Sequence, residues 1–350
     1  MTNATNPAEE ARKNLDELRF KISTLQDDAS LKSTIDEFTD LTSKVENFDN
    51  RLSALRQRKY AFDGQLEKNA EDMLNRWKLN TSRVDSQIRM QSASLMASLR
   101  SIETRLNSGG AIPPFAQVQI LTREAETFED HIRSVRNSIE EMYGNLEQEI
   151  NEFDSQLSEL EFTMEKSEAA SFGFLPGEST VRAVEAIWCR NGKEQKGDPE
   201  GLLFLTDQRL IFEQNEEIAT KKVLFVTTER QKVQQLLFEV PAVSVTSIKA
   251  SKQGVFKNID MLDLVLESGA FAHEATLHIY QEGETWQKFI TQVKNHEIDS
   301  IRVIAVDQAA VEKAKAAPTQ CPYCGGAITR PILRGMDSIN CDYCGKVIRL

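Results

Sequence analysis

The residues best equipped for chemistry are two cysteine pairs near the end of the chain. They read Cys321-Pro322-Tyr323-Cys324-Gly325 and Cys341-Asp342-Tyr343-Cys344-Gly345, with sixteen residues between the pairs. A C-x2-C-x16-C-x2-C spacing falls in the range of structural zinc sites, because each Cys-x-x-Cys turn aims two sulfurs at one ion. Gly325 and Gly345 permit the tight backbone after each second cysteine, where amide N–H groups can point at thiolates. Four thiolates close a tetrahedron and leave no position for water, so the expected role is structural. A unit of about 30 residues cannot build an adequate core alone, and metal binding would supply most of its folding free energy. An iron–sulfur or rubredoxin-like iron site and a dithiol redox pair are the alternatives.

Other chemistry-bearing residues do not assemble into a pattern. His273-Glu274-Ala275-Thr276-Leu277-His278 resembles a zinc-protease motif with one residue too many. On a strand that odd spacing sends the two histidines to opposite faces. His131 and His296 lie in helical patterns without a spaced partner, and Cys189 follows Trp188 in an apolar run that suits a buried thiol. Gly-x-Ser-x-Gly, GxxxxGK[ST] and GxGxxG are all absent. The chain is expected not to be an enzyme.

The elements that must carry the cysteines differ in composition along the 350 residues. Residues 8–168 hold almost no Gly or Pro apart from the break Asn107–Pro114. After the break Val118, Leu121, Ala125, Phe128, Ile132, Val135, Ile139, Met142 and Leu146 alternate spacings of three and four. Ile150 follows at four, so a stutter is expected there. Before the break, Phe38 through Leu106 keep a similar rhythm, with Lys59 and Asn69 interrupting the seam. Asp27–Ser30 offers capping residues, so a short helix is expected to precede the long one.

The expectation is a coiled-coil hairpin of two long helices, a rod on the order of 80 Å. Its limbs carry complementary charge, +5 over residues 51–105 and −10 over 117–168. Antiparallel pairing of residue i with 222 − i sets Arg51, Arg56, Arg58 and Lys59 beside Glu159, Glu161, Glu165 and Glu168. Nucleic acid or anionic lipid is the alternative partner for this basic cluster.

From about residue 174 short apolar runs recur, among them Ala183–Cys189, Leu202–Thr206, Leu210–Phe212, Val223–Val226 and Met261–Leu266. They indicate an antiparallel sheet or small barrel. Trp286, Phe289, Ile290 and Val293 then mark one face of a closing helix. Within this region Gly201-Leu-Leu-Phe-Leu-Thr-Asp-Gln-Arg-Leu-Ile-Phe212 resembles the signature of GRAM and related pleckstrin-homology-like domains, over about residues 174–297. That resemblance implies a β-barrel with a C-terminal helix that binds lipids, phosphoinositides or peptides, or only scaffolds. The first-hairpin basic cluster of the lipid-binding members corresponds to Arg190, Lys193 and Lys196, diluted by Glu194, Asp198 and Glu200. A second basic loop, Lys249, Lys252 and Lys257 around Gly254, is a candidate contact for an anionic surface, against the plain reading of a solvated loop. Residues 298–318 form a linker. The cysteine knuckles over 319–350 resemble a zinc ribbon, which implies one structural Zn²⁺ and docking to protein or nucleic acid.

The fold class is therefore multidomain: coiled-coil hairpin (8–168, turn near 107–114), GRAM/PH-like domain (174–297), linker, zinc ribbon (319–350). A net charge of −12 argues against a protein built to coat nucleic acid. No window approaches the roughly 18 apolar residues of a spanning helix, and the first residues lack signal-peptide features. A cytoplasmic adaptor or scaffold, with membrane-peripheral binding as an option, is the expected function. Its expected partners are proteins, with a membrane surface or a second copy through the coiled coil as further options. The alternative is a nucleic-acid-associated factor using the ribbon and the basic helix.

Overall fold

A computed structural model describes residues 7–108, 113–223, 226–256, 258–267, 272–329, 331–334 and 336–350. Residues 109–112, the middle of the expected hairpin turn, lie outside the described residues. The chain divides into two compact units. One comprises residues up to Asn50 with Glu67–Ser155, and the other Arg51–Leu66 with Gln156–Leu350.

Five helices precede the sheet: α1 (Pro7–Ala29), α2 (Lys32–Gln57), α3 (Leu66–Ser108), α4 (Phe115–Glu140) and α5 (Gly144–Glu168). The expected break after residue 27 is present, with Leu31 buried in a left-handed conformation (φ 55°) between α1 and α2. The expected first limb, however, is not one long helix. The chain leaves α2 at Gln57 and starts α3 at Leu66, so the helical region has three limbs where two were expected.

Polar pairs within the first unit give the directions. Lys21 meets Glu129 (2.9 Å), Asp28 meets Arg136 (3.3 Å) and Lys44 meets Asn151 (3.0 Å), partners about 107–108 residues apart throughout. A constant offset means that α1 and α2 run parallel to α4 and α5. Arg76 with Glu149 and Arg105 with Glu124 are 73 and 19 residues apart, so α3 is the antiparallel partner. The limbs meet at Phe38, Trp77 and Tyr143, whose ring centroids lie 4.9–6.1 Å apart. Trp77 also donates to the Thr42 hydroxyl at 3.0 Å.

The stutter is displaced from its expected place. A turn at Glu141–Tyr143 separates α4 from α5, with Met142 and Tyr143 amides bonding three residues back. Tyr143 is buried where Met142 was expected, so the seam runs Val135, Ile139, Tyr143, Leu146, Ile150 and the two consecutive fours fall at the turn.

In the second unit, the reversal after α2 is stitched by Arg56. Its guanidinium donates to the carbonyls of Tyr60 and Phe62 (2.8 Å each) and of Asp63 (2.9 Å). Lys59 and Asp63 take left-handed torsions, and Tyr60, Ala61 and Phe62 are buried. Lys59, expected as a flaw in a helical seam, therefore lies in the turn itself.

Seven antiparallel strands follow: β1 (Thr180–Cys189), β2 (Glu200–Thr206), β3 (Arg209–Val223), β4 (Val226–Pro241), β5 (Val245–Gln253), β6 (Ile259–Leu266) and β7 (Glu274–Ile279). They form one sheet in the order β4-β3-β2-β1-β7-β6-β5. The expected barrel is not closed by strand pairing: β4 and β5 end the sheet and, among the described residues, do not pair with each other. Of the apolar run Val223–Val226, Val223 ends β3 and Val226 begins β4, while residues 224–225 lie outside the described residues. Helix α6 (Gly283–Lys294) buries Trp286, Ile290 and Val293 against the β5–β6 end, while Phe289 is half-buried. Gly201 is required by packing, because a Cβ there would collide with the β3 backbone at Glu213–Asn215.

The linker is not a free tether. Arg302 bridges to Phe62, the Val303 amide donates to the Ala61 carbonyl (2.7 Å), and Asp307 caps helix α7 (Gln308–Lys315) through the Ala310 amide (3.0 Å). Strands β8 (Ser338–Asn340) and β9 (Val347–Arg349) pair within the cysteine-rich end. Among the described residues no helix is long and apolar enough to cross a membrane.

Parallel pairing of α2 with α5 brings Phe48 and Phe153 together, ring centroids 4.9 Å apart. A Phe48→Cys/Phe153→Cys variant is expected to form an intrachain disulfide on mild oxidation, read as a mobility shift that reductant reverses. An antiparallel α2–α5 pair would give no such product.

Candidate metal centre and its surroundings

The sixteen-residue interval brings the two cysteine pairs together. Cys321 and Cys344 sulfurs are 3.8 Å apart, Cys324 and Cys341 sulfurs 3.6 Å, and all four lie within 4.8 Å of one another. Disulfides need about 2.05 Å. A tetrahedral ion with metal–sulfur bonds near 2.3 Å requires about 3.8 Å between sulfurs. The residues therefore fit one four-coordinate metal.

Two like turns produce this geometry. In the first, the Gly325 amide bonds the Cys321 carbonyl (2.9 Å) and the Cys321 amide the Gly326 carbonyl (2.8 Å). The second repeats it twenty residues on: Gly345 to Cys341 (2.9 Å), and Cys341 to Lys346 (3.0 Å). Gly325 and Gly345 have φ of 73° and 70° with open space around them, so conformation and not crowding demands glycine. The amides of Cys344 and Tyr343 point at Cys341 and draw its thiol down to about 7. At Cys324 the Gly326 amide also pulls downward, but hydrogen bonds with the other thiols prevail and push it up to about 12. Cys321, Ile339, Cys341 and Ile348 form a small core with Ile328, Met336 and Leu350 at its margin. That core is small for a segment of this length, and segments of this kind ordinarily need a staple such as a metal.

A second concentration of polar groups lies where the sheet begins. Glu178 is fully buried and grips Arg209 through two hydrogen bonds (2.6 and 2.9 Å), while the Thr206 hydroxyl donates to it at 2.6 Å. Arg209 also reaches Glu239 and the Gly173 carbonyl (3.0 Å). Next to it, Arg302 pairs with Asp207 and lies 4.8 Å above the Phe62 ring. Burial pushes the Asp207 carboxyl up, against the pull of the Ser179 amide and Arg302. Arg182, also buried, donates to the Tyr60 hydroxyl (2.7 Å) and lies 4.6 Å over Phe289. These groups join elements together. The turn Thr206–Arg209 was legible as a motif, but Glu178 carried no sequence signal.

The candidate anionic-surface residues are only partly described, since Lys257 lies outside the described residues. Lys249 and Lys252 sit on β5, where each faces an aspartate across the ladder, Asp263 and Asp260 respectively. The Lys252–Asp260 separation is 3.8 Å. At the tip of the same hairpin Val255 and Phe256 are 93% and 87% exposed, a feature the sequence reading passed over. In the β1–β2 connection Arg190 lies over Trp188 (5.4 Å), and Glu194 engages His278 (2.8 Å). His278 is buried and His273 exposed, so they do not converge. Burial pushes the Cys189 thiol up to about 11, which suits an inert core residue.

No protein-family model matches the chain, and no curated protein does. Solved structures with some likeness include the Vps36 N-terminal PH domain, at 16% identity over 35% of this chain and 83% of that one, TM-score 0.23. A DUF1696 family protein with a pleckstrin-homology domain from Shewanella loihica shares 15% identity over 38% of this chain and 91% of its own, TM-score 0.22. The DH/PH domains of p115-RhoGEF share 11% over 83% and 94%, TM-score 0.21. Seven antiparallel strands followed by helix α6 are what the structure itself shows of this region.

Native mass spectrometry of the reduced chain is expected to find one metal ion per molecule. In a Cys321→Ser/Cys324→Ser variant the ion should be lost, together with the chemical-shift dispersion of residues 319–350. Retention of the ion would mean that the metal sits elsewhere.

Proposed function

We propose that the protein is a non-enzymatic adaptor. Its pleckstrin-homology-like sheet, of GRAM type, meets a membrane surface. Its ribbon holds one structural Zn²⁺ and docks a protein partner, and its helical region is a coiled-coil spacer. The observation that carries this reading is the β5–β6 tip, where Val255 and Phe256 stand bare beside Lys249 and Lys252. Large apolar side chains so placed in pairs mark contact surfaces. Burying each in lipid contributes about 1.5–3 kcal/mol, which suits reversible, peripheral binding.

Two further features support it. A four-thiolate set offers no open coordination position, which favours a structural metal. The arginines on which a nucleic-acid reading would rest are already engaged: Arg51 with Glu161 (2.7 Å), Arg58 with Glu168 (2.8 Å) and Arg56 with the carbonyls of its turn.

Co-sedimentation with phosphatidylcholine/phosphatidylserine vesicles tests the reading. The full chain is expected to pellet, and a Val255→Ser/Phe256→Ser variant to bind at least about tenfold more weakly. Binding to single-stranded RNA or DNA that falls steeply with salt, without vesicle binding, would favour the nucleic-acid alternative. Elemental analysis should return zinc; iron would overturn the metal assignment.

A further inference from the structure

The residues between the two cysteine pairs do more than connect them. Leu333 and Arg334 reach the opening segment of the sheet domain, Gly173–Glu178, and lie against it. The Arg334 amide donates to the Phe174 carbonyl at 2.6 Å, and its guanidinium donates to the Glu178 carbonyl at 3.2 Å. The same guanidinium covers the Phe174 ring at 5.1 Å. Leu333 occupies the space that a Cβ on Gly173 would need. On the ribbon side this strap is fastened by Met336, whose amide donates to the Leu333 carbonyl (3.2 Å), whose sulfur accepts from the Leu333 amide (3.4 Å), and which borders the core around Cys321 and Cys341. Lys313 of α7 holds Asp337 at 3.0 Å.

The segment under the strap is a junction. The Glu178 side chain accepts from the Leu175 amide (2.5 Å) and grips Arg209, which in turn holds Glu239 on the edge strand β4. Phe174 meets Phe172 edge to face, and Phe172 meets Phe204 in the sheet core the same way (5.3 and 5.1 Å between centroids).

We propose that the strap couples metal occupancy of the ribbon to the order of residues 173–178, so that metal loss uncovers Phe174 and loosens the entry to the sheet. The inference rests on reading the four thiols as a metal site. A ribbon with so small a core keeps its fold only with the ion bound. When it unfolds, Leu333 and Arg334 lose the geometry that docks them, and the Phe174 and Glu178 carbonyls lose their donors. Coupling of this kind is reciprocal, so weakening the dock must weaken metal binding by the same factor.

Hydrogen exchange on the reduced full chain, metal-loaded and metal-stripped, tests this. Stripping should accelerate exchange of the amides of residues 173–178 by at least tenfold. Arg334→Ala should show the faster exchange with metal still bound, and should bind the ion about tenfold more weakly in competition with a chelator. Gly173→Val, which evicts Leu333 from the other side, should reproduce both effects. If residues 319–350 lose protection on stripping while 173–178 do not, the coupling is overturned and the metal site stands. If Arg334→Ala binds metal as tightly as the native chain, the strap is only a surface contact. If the native chain binds no metal, both readings fall.

Discussion

A buried guanidinium must be held by acceptors and ring faces, and the second unit is organised around three of them, although the Nε atoms of Arg182 and Arg302 are left without a hydrogen-bond partner. Leaving one such charge without its partner costs several kcal/mol, whereas a pair replaced by well-packed apolar residues is often no less stable. Arg182, Arg209 and Arg302 are therefore better understood as fixing which elements meet than as adding stability. Arg209 commits β3 to Glu178 and Glu239. Arg302 commits the linker to Asp207 and Phe62. Arg182 commits β1 to Tyr60 and to α6. Each lies where one part of the chain joins another, so an apolar core alone would leave these junctions free to slide.

The four-cysteine cluster shows what kind of structure is legible in a sequence. Its cysteines lie in two local turns, and each turn is set by residues within six positions of one another. Spacing and glycine placement are therefore enough to bring Cys321, Cys324, Cys341 and Cys344 together. The sheet was nearly as legible, because alternation, turn residues and the closing stripe Trp286, Ile290, Val293 are also local. Glu178 and Arg334 were not legible. Their partners are 31 and 156–160 residues distant, and nothing in their neighbourhoods marks them. The bare tip at Val255–Phe256 escaped for a different reason: two apolar residues after a glycine look the same whether a neighbour covers them or not.

The helical region was misread in an instructive way. Seam periodicity reports that a helix has a buried face but not which helices share it. With three limbs, each still shows spacings of three and four, and the reversal between Gln57 and Leu66 disturbs them by little more than one turn. The pair Asp63-Gly64 does punctuate the segment, but with no proline beside it the signal is slight. Arg56 does the work of a turn-forming residue by gathering the carbonyls of Tyr60, Phe62 and Asp63, the last of which also accepts from the Leu66 amide.

Complementary charge picks out the right residues of the basic cluster but not the direction in which their helices run. An antiparallel hairpin pairs i with 222 − i, whereas α2 and α5 run parallel at an offset of 110 over Arg51–Glu161 and Arg58–Glu168. The two rules coincide at residue 56, in the middle of the basic cluster, and diverge in both directions from it. Agreement at one cluster therefore could not separate them. Only pairs far from the coincidence do so: Lys21 with Glu129 lies where the parallel offset predicts, nearly seventy-five residues from where the antiparallel rule would put it. Complementary charge selects partners along a seam, but orientation is decided only by two pairs read together, because a single pair is compatible with either direction.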